Sequence, residues 1–133
     1  MIRYMLDTNI ISDLVRNPQG RSAKRVAKLD EQTLCTSIIV AAELRYGCVK
    51  SGSARLIKAV EDVLAEIEVL AFDAPADVEY GTIRAELEAA GLPIGSNDLL
   101  IAAHARAARA TVVTANATEF KRVRGLKVEN WLA

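Results

Sequence analysis

Three acids of this chain stand where acids are costly. Asp7 closes the apolar run Tyr4-Met5-Leu6 and precedes Thr8, Asn9 and a second apolar pair, Ile10-Ile11. Glu43 is the only charge between Ile38 and Leu44. Asp98 opens a segment with no further Lys, Arg, Asp or Glu until Arg106. A carboxylate among apolar residues is unfavourable unless something pairs with it. Three in one place would also repel one another and raise each other's pKa. Arg45 is the obvious nearby cation, and one guanidinium cannot serve three sites. A divalent cation answers the problem better, and oxygen ligands without His or Cys favour Mg²⁺ or Mn²⁺ over Zn²⁺. Each acid alone has a plainer reading. Asp7 would cap the helix that follows, although Thr8 or Asn9 would serve equally. Asp98 would be an ordinary first-turn acid, and Glu43 part of an exposed stripe. Their joint placement at one sheet edge outweighs those readings.

That edge is inferred from the alternation of the chain. Residues 2–6, 33–37, 68–72, 111–115 and 126–130 read as short strands, the last at an edge. Between them, helical patterns cover 10–16, 22–29, the segment from Ile38, 53–66, 73–91 and 97–108, with one or two helical turns over 117–123. Asn17-Pro18 stops the first helix, Ser37 is placed to cap the segment from Ile38, and Asp73 to cap the helix containing Pro75. Strands alternating with helices predict a parallel sheet covered on both faces. Sites in such sheets form beyond the carboxyl ends of the strands. Asp7, Glu43, Asp98 and Asn116, with Thr114 before it, all fall just past a strand or in a following helix.

The totals add bounds rather than chemistry. The 133 residues fit one domain, 1–133, able to bury a core without disulfides. Lys plus Arg and Asp plus Glu are both 17, so net charge points to no polyanionic partner and local placement must decide. Cys35 and Cys48 form no CxxC or larger metal pattern and read as buried thiols in a reducing compartment. Neither a signal peptide nor a membrane span is expected, which predicts a cytoplasmic protein with no membrane partner. The basic residues Lys121, Arg122, Arg124 and Lys127 follow the fourth strand closely and are candidate phosphate contacts, with a solvated basic turn as the alternative. Arg21, Lys24, Arg25 and Lys28 form a second basic face. Asp13, three residues before Arg16, reads as one half of a solvated pair, and His104 as a packed neutral imidazole.

The segments MLDTNIISDL (5–14), TSIIVAAELRYG (36–47), IGSNDLLIAAHARA (94–107) and VVTANATEFKRVRGLKVENW (112–131) together resemble the PIN-domain ribonucleases, specifically the VapC-type toxins of toxin–antitoxin pairs. The resemblance implies an α/β, PIN-like three-layer sandwich whose central parallel sheet of about five strands is flanked by helices. It implies a Mg²⁺- or Mn²⁺-dependent endoribonuclease with Asp7, Glu43 and Asp98 as metal ligands. Many members carry Asp where this chain has Asn116, which leaves a second metal in doubt. Glu119 is the candidate for the missing charge. Thr8 and Ser37 match polar positions of the family that support the acids. The substrate would be structured RNA, and the tail is most similar to members that cut an initiator tRNA. The implied partners are a cognate VapB-type antitoxin, whose C-terminal segment wraps the toxin, and a second copy in a homodimer.

Two other classes share features of the pattern. A receiver-like phosphotransfer domain also clusters acids at a sheet edge, but its acceptor would be Asp73, which reads as a helix start. A dehalogenase-type phosphatase needs an Asp where Asn9 stands. A non-catalytic binding module on the same fold would lack metal-dependent RNA cleavage.

Overall fold

The computed structural model describes residues 2–133. Five strands, β1 (Tyr4–Leu6), β2 (Leu34–Ser37), β3 (Glu68–Leu70), β4 (Thr111–Val113) and β5 (Val128–Glu129), form one sheet in the order β3-β2-β1-β4-β5. Every pairing is parallel, with Met5 level with Cys35 and Val112, and Val112 level with Val128. The fold is therefore the α/β sandwich expected. Among the described residues, seven α-helices alternate with the strands, besides a short 3-10 turn at Glu31–Thr33: α1 (Thr8–Arg16), α2 (Arg21–Ala27), α3 (Ile38–Ser51), α4 (Ala54–Glu66), α5 (Ala76–Ala89), α6 (Ser96–Ala108) and the single turn α7 (Ala117–Phe120). Among the described residues, no helix is long and apolar enough to cross a membrane.

β1 is central because both its faces can be buried. Met5 and Leu6 have no exposed surface, and Ile10 and Ile11 of α1 and Val112 and Val113 of β4 join them in the core. A strand buried on both faces reads as a continuous apolar run rather than an alternating one. Side-chain caps fix the helix starts. Asp7 accepts from the Thr8 N–H, Ser37 from Ile39 and Ser53 from Leu56. α3 continues through Gly47 and ends at Gly52, whose φ of 64° is the left-handed conformation that glycine adopts freely.

Two local expectations are corrected. The Asp73 side chain caps nothing: its backbone carbonyl accepts the Ala76 N–H, and α5 has no side-chain cap. Asp13 forms no ion pair with Arg16. It lies buried on α1, where one carboxylate oxygen accepts from Asn17 Nδ2 at 2.7 Å and the other has no hydrogen-bond partner. The turn after α1 folds back over that carboxylate, so i,i+3 spacing did not predict its environment.

Candidate active site

β1 delivers Asp7 to the carboxyl edge of the sheet, and α1 starts on the next residue. One carboxylate therefore serves two structural functions. Its Oδ1 accepts the Thr8 N–H at 2.8 Å, and its Oδ2 accepts the Thr114 hydroxyl at 2.8 Å and the Asn9 amide at 3.4 Å. Asp7 is buried, and burial pushes its carboxyl above the usual range. The bonds from Thr114, Thr8 and Asn9 pull it down, and the charge of Glu43 pushes it up.

Two further acids face it from separate helices. Glu43, in the second turn of α3, accepts the Thr8 hydroxyl at 2.8 Å. Asp98, in the first turn of α6, is pushed up to about 6, first by burial and then by the charges of Asp7, Glu119 and Glu43. Asn116, just past β4, opposes that rise. Its amide Nδ2 donates to Asp98 Oδ2 at 3.0 Å and to Glu119 Oε2 at 2.7 Å. The other oxygen of Glu119 accepts the Gly95 N–H at 2.7 Å. Those two bonds, Gly95 first, hold Glu119 below the ordinary carboxylate range. Asn116 is thus a neutral donor set between two carboxylates that would otherwise repel.

Thr8, Thr114, Asn116 and Glu119 accordingly all reach this group. Ser37 does not. Its hydroxyl accepts the Ile39 N–H at 3.0 Å and pairs with His104 Nδ1 at 2.7 Å, so it caps α3 and closes a buried contact. Burial holds the His104 imidazole low, as a packed neutral ring requires. Asp73 opens the turn into α5 through its backbone carbonyl, and its charge acts on His104. Among the basic candidates, Arg122 stays close: it lowers Glu119 by its charge and donates to the Pro93 carbonyl at 3.0 Å. Lys121 adjoins it at the end of α7. Lys127 belongs to the opposite edge, because it immediately precedes β5, which runs parallel to β4, and its carbonyl accepts the Val112 N–H. The Arg124 carbonyl is bound there too, by Arg106 from the end of α6. Arg45 pairs with Glu61 on the surface.

Sequence reasoning missed Asn9. Besides bonding Asp7 and lying 3.4 Å from the Thr114 hydroxyl, it accepts the Ala115 N–H at 2.9 Å, tying the end of β1 to the end of β4. An amide directly after two polar residues, between apolar runs, was the available signal. Thr36 was also missed. Its buried hydroxyl donates to the Leu6 carbonyl at 2.6 Å and so fixes the strand end that carries Asp7.

The donor chemistry of the group fits a hard divalent cation. Asp7, Glu43, Asp98 and Glu119 supply only oxygen, and none takes part in the six ion pairs found among the described residues. The two most central carboxyls are both raised by burial and by neighbouring negative charge, which a cation relieves. Among the described residues, no three acidic, imidazole or thiol groups are already close enough to form a metal cluster. Beside the acids, an apolar groove of about 380 Å³ runs between α1, α3 and α4, with Thr8 and Glu43 at its rim and Val15, Leu44, Leu56 and Val60 in its wall.

The chain matches the PIN domain family over residues 4–126. It is 43% identical to ribonuclease VapC2 of Rickettsia felis, over 96% of this chain and 97% of that one. It is 39% identical to the tRNA(fMet)-specific endonuclease VapC of Shigella flexneri, over 98% and 99%. The crystal structure of VapBC2 from Rickettsia felis bound to a promoter DNA fragment superposes with a TM-score of 0.91 at 41% identity, covering 98% of this chain and 99% of that one.

Proposed function

The chain belongs to the PIN-domain family, and we propose that it is a metal-dependent endoribonuclease, the toxin of a toxin–antitoxin pair. The observation that carries this reading is the convergence of Asp7, Glu43 and Asp98 from the end of β1, α3 and α6, with none of them in an ion pair among the described residues. Asp7 and Asp98 would hold Mg²⁺ or Mn²⁺, with Glu43 as a further ligand, direct or through water. Bound there, the cation supplies positive charge and Lewis acidity to the scissile phosphodiester. The ribonuclease and endonuclease names of relatives at 43% and 39% identity support the reaction class. The second of those names, specific for an initiator tRNA, supports a structured RNA as substrate.

The chain's own groups divide the remaining work. Thr114, Thr8 and Asn9 fix both oxygens of Asp7, and so orient it before substrate arrives. Glu119 is a poor proton acceptor because both its oxygens are engaged and its carboxyl is held low. Glu43 is the better one. Only its Oε1 is engaged, by Thr8, and the residue is half-buried at the rim. Attack of water on phosphorus, with its proton passed to Glu43 and the P–O3′ bond broken, would leave a 5′-phosphate and, once the departing oxygen takes a proton from solvent, a 3′-hydroxyl. Lys121 and Arg122 are placed to meet flanking phosphates, which position RNA without reading its sequence.

The partner would be a small antitoxin, an assignment supported by the VapBC complex that superposes on this fold. The apolar groove ending at Thr8 and Glu43 suits an apolar segment that brings a cationic side chain to the acids. A second copy would cover the outer face of α3, where Ile38, Tyr46 and Val49 are 45%, 66% and 79% exposed. The protein would act in the cytoplasm, where its RNA is.

The test is cleavage of total RNA by the parent with Mg²⁺, by the parent with EDTA, and by Asp7→Asn with Mg²⁺. Only the first should cut. If Asp7→Asn cuts as well as the parent, the assignment of Asp7 fails and the mechanism with it.

A further inference from the structure

The edge of the sheet opposite the acids carries a cavity of about 430 Å³, bordered by Arg106, Arg109, Thr111 and Lys127 together with the apolar Ile2, Ala110 and Leu126. Among the described residues, no acidic side chain lines it. Arg106 is committed, to Glu79 at 2.7 Å and to the Arg124 carbonyl at 2.9 Å. Arg109, Arg124 and Lys127 are exposed and enter none of the ion pairs among the described residues.

Arg109 is the unusual member. It terminates α6 at φ 56°, and it is the one non-glycine residue with positive φ among those described. A helix end in this conformation ordinarily carries glycine, because a Cβ is disfavoured there. The guanidinium is not needed to finish the helix. The backbone N–H groups of Arg109 and Ala110 already bond the carbonyls of Ala105 and Arg106. A strained backbone that retains a long cationic side chain, on a helix end that needs none, points to a use outside the fold.

The chain between β4 and β5 connects this cavity with the acids. It leaves the site at Glu119, descends past Lys121, Arg122 and Arg124, and reaches Lys127 at the far edge with no acid between. We propose that this strip is a phosphate track, and that the Arg109–Lys127 cavity, which Thr111 borders, is a phosphate site on the RNA strand running from the acids. The proposal rests on the ribonuclease reading for the identity of the polyanion. It makes the substrate an extended or structured RNA whose contact with the protein reaches from one sheet edge to the other, not a short oligonucleotide seated on the acids alone. Arginine, lysine and hydroxyl donors together suit a phosphate oxyanion.

The experiment compares the full-length parent with Arg109→Gly/Lys127→Ala, in EDTA so that the probe survives. Fluorescein-labelled single-stranded RNAs of about four and about twelve nucleotides, the span such grooves take, are titrated by anisotropy at several salt concentrations. The long RNA should bind the variant about five- to tenfold more weakly. The slope of log affinity against log salt should become shallower by about 1.4, two contacts at about 0.7 each. The short RNA should bind both proteins alike. Glycine at 109 suits the backbone, so the melting temperature of Arg109→Gly alone should not fall, which separates lost contacts from a damaged fold. Unchanged affinity and slope for the long RNA would overturn the track, whether or not the protein proves to be a ribonuclease. Absence of Mg²⁺-dependent cleavage alongside a changed slope would overturn the ribonuclease reading and leave the phosphate site standing.

Discussion

Asp98→Asn should stabilise the metal-free protein while abolishing its activity. The folded state raises the Asp98 carboxyl from 3.8 to about 6. At about 1.36 kcal/mol per tenfold change in proton affinity, the ionised carboxylate costs the fold at most about 3 kcal/mol at neutral pH. Asp98 is only half-buried, and solvent screening reduces the figure to about 1–2 kcal/mol. Because the folded state binds this proton more tightly than the unfolded chain does, stability rises as pH falls through 6 towards 3.8. The full cost applies above 6. Asparagine keeps a carbonyl for the Asn116 amide and removes the charge. Denaturation in EDTA at pH 7.5 should therefore find the variant more stable by about 1–2 kcal/mol, and the gain should shrink below about 0.5 kcal/mol near pH 4. Added Mg²⁺ should stabilise the parent and not the variant, closing or reversing the gap. RNA cleavage by the variant should fall at least about a hundredfold. A variant less stable than the parent at pH 7.5 in EDTA would refute the reasoning, because it would mean the charge is already compensated by the protein.

Thr114→Val keeps the shape of a buried side chain but removes the hydroxyl that orients Asp7. Cleavage should drop about 10–100-fold and stability by about 1–2 kcal/mol, read by single-turnover kinetics and urea denaturation. His104 is held low by burial, so the unfolded chain takes up its proton first and stability should be lost as pH falls below about 6.5. In the Asp98→Asn background, where the opposing rise is absent, His104→Gln should flatten that acid limb in a stability–pH profile. Glu119→Gln leaves an acceptor for the Gly95 N–H and should cost less than about tenfold in cleavage, whereas Glu43→Gln should cost more than about a hundredfold. Equal losses would return the proton-acceptor role to an open question between them. Asp13→Asn, which replaces a half-bonded buried carboxylate that makes no contact with the acids, should leave cleavage within about twofold and stability unchanged or up to about 1 kcal/mol higher.

The acids were legible because apolar flanks make a carboxylate conspicuous, and the strand–helix alternation told which edge would gather them. Asp7, Glu43 and Asp98 needed no more than that. The errors came where facing depends on the height of a residue within the sheet. Lys127 seemed near the acids because it follows β4 closely in sequence. A strand parallel to β4 must begin where β4 begins, so the residue before β5 belongs to the far edge. Ser37 caps α3 through Ile39 as its place before Ile38 predicts, but its other contact is His104 and not the acids, a choice made by the packing of α6 against β2. Asn9 was read as a possible helix cap and as a mismatch to the phosphatase pattern, because its partner Ala115 is 106 residues away and no local pattern reports such a contact. Asp13 looked solvated by its spacing to Arg16, but the 17–20 turn and the start of α2 cover it.

The order of the strands carries a consequence for the cell that makes this chain. β1, which delivers Asp7, emerges from the ribosome long before one of its two neighbours, β4, formed by residues 111–113. The hydroxyl that orients Asp7 and the amide that steadies Asp98 come later still, at 114 and 116. A nascent or prematurely released fragment that stops short of these residues has its acids but not the strand that gathers them. The site of this fold is therefore complete only once residues 111–116 have been made, and fragments that stop short of them would leave RNA intact.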